Sequence, residues 1–434
     1  MNYINNILFA ILLVVGIGFF VINIKKLTRN IKLGKDIDRS DNPKARWKNM
    51  AMIALGQSKM VKRPIAGILH VIVYASFIII NIEVVEIIID GLFGTHRIFS
   101  FLGGFYDVLI GSFEILAFLV LIAVIIFWIR RMIVRIPRFW SKEMTSWPKN
   151  DALNILYFEM VLMSLFLIMN ATDPEFQTFH FGNPISRFLT PIFNDFFSEH
   201  SIHLIEQGAW WLHITGIFIF LNYLYYSKHL HILLAFPNTY YANLNVKGKF
   251  DNLEAVTKEV KLMMDPNADP FATPAEDENE TPEKFGASDV TDLNWVQLMN
   301  AYTCTECGRC TSSCPANITG KELSPRAIMM KTRDRIEEIG KNIDKNGAFK
   351  DDGKQLLGDY ITPEEVWACT SCNACVEECP VNINPLSIIM DIRRYLVLEQ
   401  SAAPQELNMM MTNIENNGAP WQYSQMDRLN WKDE

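Results

Sequence analysis

Five long apolar stretches in the first half of the sequence constrain most strongly what this chain can fold into. They lie near 5–24, 65–89, 108–129, 152–170 and 205–227. Each is long enough to cross the roughly 30 Å hydrocarbon core of a bilayer, which takes about 20 helical residues. Spanning helices satisfy their own backbone hydrogen bonds, and no strand-rich block competes with this interpretation. The sequence therefore predicts an all-α chain whose residues 1–235 form a five-helix transmembrane bundle.

The charges of the loops predict how this bundle is oriented. The loops near 90–107 and 171–204 contain only Arg97 and Arg187 as Lys or Arg residues. By the positive-inside rule, the N-terminus then lies outside and the C-terminal part lies in the cytoplasm. The first stretch has no basic leader or small-residue cleavage site, which predicts a retained helix. The opposite loops are rich in Lys and Arg: Lys25, Lys26, Arg29, Lys32, Lys35, Arg39, Lys44, Arg46, Lys48, Lys59, Lys62 and Arg63 after the first stretch, and Arg130, Arg131, Arg135, Arg138 and Lys142 after the third.

The second half of the chain divides into three parts. Residues 236–293 are a polar connector with acidic and proline-rich segments that are poor material for a core, apart from helical spacing at about 253–264. Residues 294–400 regain helical periodicity and contain a capping signature that begins at Thr362. Residues 401–434 form a C-terminal tail. Its apolar side chains suit a partner-docking segment or a tail packed on its own domain: Trp421, Tyr423, Leu429 and Trp431.

Two cysteine runs carry the chemistry of the 294–400 domain. All eight cysteines of the chain fall in two runs of the form C-x-x-C-x-x-C-x-x-x-C-P. This is the ligand spacing of bacterial ferredoxins, in which three cysteines hold one 4Fe–4S cluster and the fourth ligates the other. A zinc site usually has a wider gap between its cysteine pairs, and a disulfide framework is not typical of such a chain. We therefore predict cluster 1 on Cys304, Cys307, Cys310 and Cys379, and cluster 2 on Cys369, Cys372, Cys375 and Cys314.

Membrane histidines predict a heme. His213 and His231 are five turns apart at 3.6 residues each, so we expect them to project from the same face of one helix and to stand about 27 Å apart. His70, near the start of the second apolar stretch, would then lie at the depth of His231. A low-spin b heme requires one imidazole on each side of the porphyrin, and His70 with His231 supply such a pair. His229, about 160° away in phase, is expected to face elsewhere.

The alternative for each histidine is a hydrogen bond to a neighbouring helix, although ionisable residues in membranes are usually functional. A second heme would use His213, but no other histidine lies deeper in the second stretch, where Ile80 occupies the corresponding position. A histidine of the outer loops could complete that site: His96, His180, His200 or His203. Carboxylates at membrane depth, Glu83, Glu86 and Glu114, could exchange protons with a quinone or pair with arginines and water.

Several segments resemble known families. Trp210-Trp-Leu-His213, Ser227-Lys-His-Leu-His231 and Gly67-Ile-Leu-His70 are similar to the cytochrome b (gamma) subunit of respiratory nitrate reductase. The whole chain resembles membrane iron–sulfur oxidoreductases related to heterodisulfide reductase and to electron-transfer-flavoprotein:menaquinone oxidoreductase, most closely in Phe285–Trp295 and Thr303–Cys310. The resemblance implies a bacterial inner-membrane protein with heme b, two clusters and menaquinone or ubiquinone.

The chain departs from these families in two ways. Only His70 matches the two ligand histidines of the second helix in the nitrate reductase cytochrome, so the resemblance implies one heme directly and leaves the second open. Many relatives also continue into a domain with a Cys-Cys-Gly repeat, for which this sequence has no cysteines left. The resemblance therefore implies a separate Cys-Cys-Gly-type iron–sulfur subunit as partner, with an electron-transfer flavoprotein beyond it.

Together these features predict a membrane-anchored electron-transfer subunit of a quinone-linked oxidoreductase, with the substrate-oxidising site on another subunit and no catalytic residue in this chain. The alternative is a non-catalytic anchor and relay whose quinone chemistry belongs to a partner. Glycine-rich phosphate loops, a serine–histidine triad and a flavin fingerprint are missing. Nucleic-acid binding has no support, because the basic residues lie in membrane loops.

Overall fold

The structure, a computed structural model, describes residues 3–179, 182–246, 248–266 and 284–433. In these ranges every regular element is a helix, and the only β-type pairings are two isolated backbone bridges. The all-α prediction is therefore confirmed. The connector is described up to residue 266 and again from 284, and the rest of it lies outside the described residues, as does His180.

Within its described residues, the membrane half has five helices that are long and apolar enough to cross a bilayer: α1 (Tyr3–Ile31), α3 (Pro64–Phe93), α4 (Gly104–Met132), α5 (Trp147–Thr172) and α7 (Glu199–Tyr223). Four of the predicted stretches lie wholly within these helices, and the fifth, 205–227, extends four residues beyond the end of α7. The prediction of five membrane-length helices is confirmed. The helices of this half are α1 (Tyr3–Ile31), α2 (Pro43–Met50), α3 (Pro64–Phe93), α4 (Gly104–Met132), α5 (Trp147–Thr172), α6 (Thr190–Phe196), α7 (Glu199–Tyr223) and α8 (His231–Tyr240).

The five long helices close into a ring. α1 packs against α3 and α7, α4 packs between α3 and α5, and α5 packs against α7. A close approach seals the contact of α1 with α3, because a Cβ atom on Gly91 would lie 2.7 Å from the ring of Phe9. Apolar side chains such as Val14, Phe19 and Ile82 remain exposed on the outside of the ring. An apolar surface of this extent requires a cover such as lipid.

One prediction about this half is wrong. His213 and His231 do not share a continuous helix, because α7 ends at Tyr223 and the chain is extended at Ser227, with φ −107° and ψ 152°. The side chain of Ser227 accepts a hydrogen bond from the backbone N–H of His229, which caps a new helical turn there. His231 is therefore the first residue of α8, and the phase relation between His213 and the later histidines does not hold.

The C-terminal half is a helical domain around one core. Leu298, Ile328, Ile336, Ile388 and Ile392 are completely buried in that core. α14 begins with the predicted capping box, in which Thr362 and Glu365 exchange hydrogen bonds with each other's backbone. The helices are α9 (Glu254–Met264), α10 (Trp295–Thr303), α11 (Arg309–Ser312), α12 (Pro315–Ile318), α13 (Pro325–Asn346), α14 (Pro363–Trp367), α15 (Ala374–Glu378), α16 (Pro385–Leu398) and α17 (Gln405–Asn417).

The helical domain docks on the end of the ring that carries the basic loops. Near the end of α1, Asn30 is buried and donates a hydrogen bond to the hydroxyl of Tyr302 at 2.9 Å. In the loop after α4, Glu143 and the carbonyl of Arg138 each accept a hydrogen bond at 2.7 Å from the fully buried Arg326. The domain and the basic loops therefore lie on the same side of the bundle.

Candidate electron-transfer sites

The first cysteine run surrounds one cavity. α10 ends at Thr303 and the chain then loops back on itself, with Gly308 in the left-handed region at φ +70°. The cavity beside this loop has a volume of about 340 Å³. Cys379, the cysteine of the second run that was predicted to cross over, also lines it. Its cysteines are Cys304, Cys307, Cys310, Cys375 and Cys379.

The second run surrounds a second cavity, of about 310 Å³, together with the last cysteine of the first run. Its cysteines are Cys314, Cys369, Cys372 and Cys375. The fourth cysteine of each run thus lies with the first three of the other, as the crossed ligand sets require. Cys375 lines both cavities.

The chemistry of the cysteines fits iron–sulfur ligation. The backbone N–H of Ile383 donates to the sulfur of Cys379 at 3.3 Å, and that of Ser371 donates to the sulfur of Cys369 at 3.4 Å. Such bonds are among the features that set cluster potentials. Burial raises the pKa of Cys304 to about 12, so ligation there would release a proton. Among the described residues no three His, Cys, Asp or Glu side chains converge closely enough to hold a single ion.

His70 and His231 come together although they lie on different helices. Their ring centroids are 6.4 Å apart and the rings are inclined by 34°. Two imidazoles bound to opposite sides of one metal at about 2 Å have centroids roughly 6 Å apart. Nδ1 of His231 lies 2.9 Å from the carbonyl of Lys228, and this contact leaves Nε2 of His231 available to bind a metal. Nδ1 of His70 is buried and has no hydrogen-bond partner. This pair fits the axial ligands of a heme.

The other two histidines, His229 and His213, have different surroundings. The prediction that His229 faces away from His231 is wrong. The two ring centroids are 5.3 Å apart, because the break at Ser227 changes the direction of the chain before His229. His213 is buried, and its Nδ1 lies 3.0 Å from the carbonyl of Leu162. In the described part of the chain, the ring in contact with it belongs to Phe166, and no histidine ring lies beside it. Among the described residues, no second histidine therefore lies beside His213 to complete a second heme site.

The three membrane carboxylates gather at the opposite end of the ring. Glu114 accepts hydrogen bonds from Asn170 and from the backbone N–H groups of residues 185 and 186, all within 3.0 Å. Glu86 accepts from the hydroxyl of Tyr106 at 2.9 Å and from a backbone N–H. Glu83 is also buried, but one of its carboxylate oxygens has no partner. Of the three carboxylates, Glu83 therefore keeps an oxygen without a hydrogen bond, whereas Glu114 holds a loop in place.

Sequence reasoning missed the arginine that organises this end. Arg97 is buried, lies 3.8 Å from Glu83, and donates hydrogen bonds to Asp173 at 3.1 Å and Asn170 at 3.0 Å. His96 lies 3.3 Å from Asp173 and is partly exposed. Burial opposes ionisation of Asp173, but the hydrogen bond from His96 and the charge of Arg97 lower its pKa to about 2. The signal for this network in the sequence was that Arg97 is the one Lys or Arg residue between 90 and 107.

Arg309 connects the first cavity to the start of α3. It lies between Cys307 and Cys310 and lines the cavity. Its guanidinium donates to the carbonyl of Lys59 at 3.0 Å and to that of Met60 at 3.2 Å. These carbonyls immediately precede α3, which carries His70. The loop of the first cysteine run is therefore fixed directly to the segment that leads to a candidate heme ligand.

Comparison with known proteins agrees with the cysteine geometry. Residues 303–383 match the family of 4Fe–4S dicluster domains. The chain is 30% identical over 99% of its length to a probable iron–sulfur-binding oxidoreductase, FadF, of Bacillus subtilis, and 24% identical over 98% to an EtfAB:quinone oxidoreductase of Syntrophomonas wolfei. It spans 61% and 59% of the lengths of those two proteins.

A third similarity covers about a third of the chain. Over 34% of its length the chain is 29% identical to a probable membrane-anchored ferredoxin of Chromohalobacter salexigens, which it covers to 24%. No solved structure matches the chain significantly. The protein thus carries a 4Fe–4S dicluster domain behind five helices able to span a membrane, and its homologues are iron–sulfur oxidoreductases.

Proposed function

We propose that this protein is the membrane-anchored electron-transfer subunit of a quinone-linked oxidoreductase of the bacterial inner membrane. The two clusters and a b-type heme, when bound, supply one-electron carriers between a cytoplasmic partner and menaquinone or ubiquinone. The chain's own residues hold these carriers in order and provide the site for quinone protons. The N-terminus lies outside in this proposal, and the cluster domain lies in the cytoplasm.

The observation that carries the proposal is the contact between the first cysteine cavity and the segments that bear the paired histidines. Arg309 of that cavity bonds the chain just before α3, and α3 presents His70 to His231. The second cavity is lined by residues between 314 and 389 that take no part in these contacts. This arrangement supports the order second cavity, first cavity, histidine pair.

The relatives support the chemistry at the two ends of this order. One of them is named an EtfAB:quinone oxidoreductase, and shorter matches are subunits of heterodisulfide reductases from Methanosarcina. By analogy, an electron-transfer flavoprotein and a Cys-Cys-Gly-type iron–sulfur subunit are the proposed cytoplasmic partners. Glu83, with its unpartnered buried oxygen, is the proposed proton-exchanging group on the quinone side.

The test is reduction of the heme by a quinol. In the purified protein with its heme bound, we expect menaquinol or ubiquinol to reduce the heme. We expect Glu83→Gln to lower the rate of this reduction at least about tenfold, because the variant removes a proton-transferring carboxyl group. Glu175→Gln is the matched control, because this carboxylate is exposed on the same side. The rate is read from the absorbance of reduced heme in stopped flow.

Two results would contradict parts of the proposal. If dithionite reduces the heme but neither quinol does, the quinone chemistry belongs to a partner and the chain is only an anchor and relay. If Glu83→Gln and Glu175→Gln react as fast as the unchanged protein, Glu83 has no role in proton exchange.

The C-terminal tail is the proposed docking segment for the iron–sulfur partner. α17 ends where Gly418 takes a left-handed conformation, and the following aromatic side chains Trp421, Tyr423 and Trp431 are exposed. Exposed aromatic residues of this kind contribute strongly to binding energy when an interface covers them. We expect truncation after Gly418 to reduce co-purification of the Cys-Cys-Gly subunit from native membranes at least about tenfold. The amount is measured by quantitative mass spectrometry of the purified complex.

A milder variant separates docking from folding. Replacing Trp421 and Trp431 together by alanine keeps the backbone of the tail, and Lys432→Ala serves as a control for an exposed change in the same segment. If both variants and the truncated protein retain the partner in full amount, the tail does not dock it.

A further inference from the structure

The break between α7 and α8 buries a lysine. Lys228 lies directly after Ser227, and only 6% of its side chain is exposed. Its ammonium donates to the carbonyl of Pro148 at 2.6 Å, lies 3.8 Å from the carboxylate of Asp151, and forms a short hydrogen bond with Glu306. Its backbone N–H donates to Asp151 at 3.1 Å. Both the charge and the backbone of this lysine are therefore held in place by other segments.

The partner of Lys228 belongs to the first cysteine loop. Glu306 lies between Cys304 and Cys307, is 3% exposed, and adopts φ +51°, which few non-glycine residues do. It also accepts a hydrogen bond from Arg333 at 2.8 Å. Two basic side chains, those of Lys228 and Arg333, therefore converge on the carboxylate of Glu306 beside the first cavity.

The same lysine contacts the candidate heme ligand. Its carbonyl oxygen accepts a hydrogen bond from Nδ1 of His231 at 2.9 Å, the bond that orients the imidazole. Lys228 therefore touches the first cysteine loop through its side chain and His231 through its backbone. The Glu306 carboxylate and the imidazole of His231 are thus both hydrogen-bonded to the same residue.

We propose that Glu306 and Lys228 are positioning residues that couple the first cluster to the heme. In this inference, which rests on the proposed function, Glu306 sets the reduction potential of the cluster held by its neighbouring cysteines. Lys228 balances that charge and holds the imidazole of His231 in register with the loop. The pair thereby fixes the driving force of the electron step between the cysteine cavity and the histidine pair.

The expected effects have opposite signs. Reduction adds negative charge to the cluster, so removing the carboxylate with Glu306→Gln favours reduction, and removing the ammonium with Lys228→Met disfavours it. We expect each to change the equilibrium constant of one-electron reduction of the first cluster at least tenfold, which is 59 mV. The double variant should return close to the unchanged value, because the two changes remove equal and opposite charges.

Each single variant leaves the remaining charges with partners. After Glu306→Gln, Lys228 keeps Asp151 at 3.8 Å, and after Lys228→Met, Glu306 keeps Arg333 at 2.8 Å. Lys228→Arg preserves the charge, so the equilibrium constant for reduction of the first cluster should stay within about threefold of that of the unchanged protein. Asp352→Asn is the matched control, because it removes one acidic partner of the buried Arg335 and lines neither cavity.

The experiment is a redox titration of the purified full-length protein, followed by electron paramagnetic resonance of the clusters and of the oxidised low-spin heme. Only single variants with native cluster content are compared. The coupling is supported if the reduction potential of the first cluster shifts in opposite directions in Glu306→Gln and Lys228→Met, and if the heme g-values change in Lys228→Met alone. Equal signs, shifts no larger than that of Asp352→Asn, or an unchanged heme signal would overturn it. Absence of heme from the unchanged protein would instead refute the proposed function.

Discussion

Replacing His231 by alanine is expected to abolish binding of the proposed b-type heme, and His70→Ala should do the same. Each substitution removes one of two imidazoles whose ring centroids lie 6.4 Å apart, and a low-spin heme needs both. The reduced-minus-oxidised absorption spectrum and a pyridine hemochrome assay measure the loss. We expect less than about a tenth of the unchanged heme content, since losing even an outer partner of a metal ligand costs 10–100-fold in affinity.

Two other histidines provide the comparison. His203 is exposed in an outer segment beside Glu206, so His203→Ala should leave the heme content unchanged. His229→Ala should retain the heme but alter its spectrum, because this ring packs at 5.3 Å against that of His231. Loss of the heme in His229→Ala together with its retention in His231→Ala would show that His229 is the ligand on this segment.

Replacing Cys314 by alanine is expected to damage the cluster held by the second cysteine run. The reason is spatial, because Cys314 lines the same cavity as Cys369 and Cys372, although it lies in the first run. Loss of one thiolate from a four-cysteine site leaves an iron without its protein ligand. We expect iron and acid-labile sulfide to fall from two clusters per chain to about one, or the second cluster to convert to a three-iron form.

The mirror substitution makes this test sharp. Cys379→Ala should damage the other cluster, since Cys379 lies with Cys304, Cys307 and Cys310. Electron paramagnetic resonance distinguishes the clusters once each has been assigned from a Cys304→Ala and a Cys369→Ala variant. If Cys314→Ala removes the same signal as Cys304→Ala, the ligand sets are not crossed.

Local patterns in the sequence were sufficient for much of the fold. The five apolar stretches all became membrane-length helices, because length and hydrophobicity act within one segment. The capping box at Thr362 formed as predicted, since its partners are three residues apart. The cysteine spacing matched the dicluster family over residues 303–383. Each of these features depends on residues that are near one another in the chain.

The errors concern residues whose environment comes from distant segments. The prediction assumed an unbroken helix from His213 to His231, but the helix is interrupted at Ser227. Beside this break, the buried Lys228 donates a backbone hydrogen bond to Asp151. The acidic hydrogen-bonded partners of Lys228 are Asp151 in α5 and Glu306 in the first cysteine loop, which lie 77 and 78 residues away along the chain. No local pattern encodes such pairings, so the orientation of His229 could not be predicted from helical phase.

The sequence by itself determined the all-helical class, the five membrane-length helices and the two runs of cluster-type cysteines, because hydrophobic length and ligand spacing are properties of contiguous residues. Only the tertiary structure decided that His229 packs against His231, that Glu83 keeps an unpartnered oxygen while Glu114 is fully bonded, and that Glu306 reaches Lys228. Buried polar groups must find hydrogen-bond partners, and in this fold those partners come from whichever helix or loop packs against them.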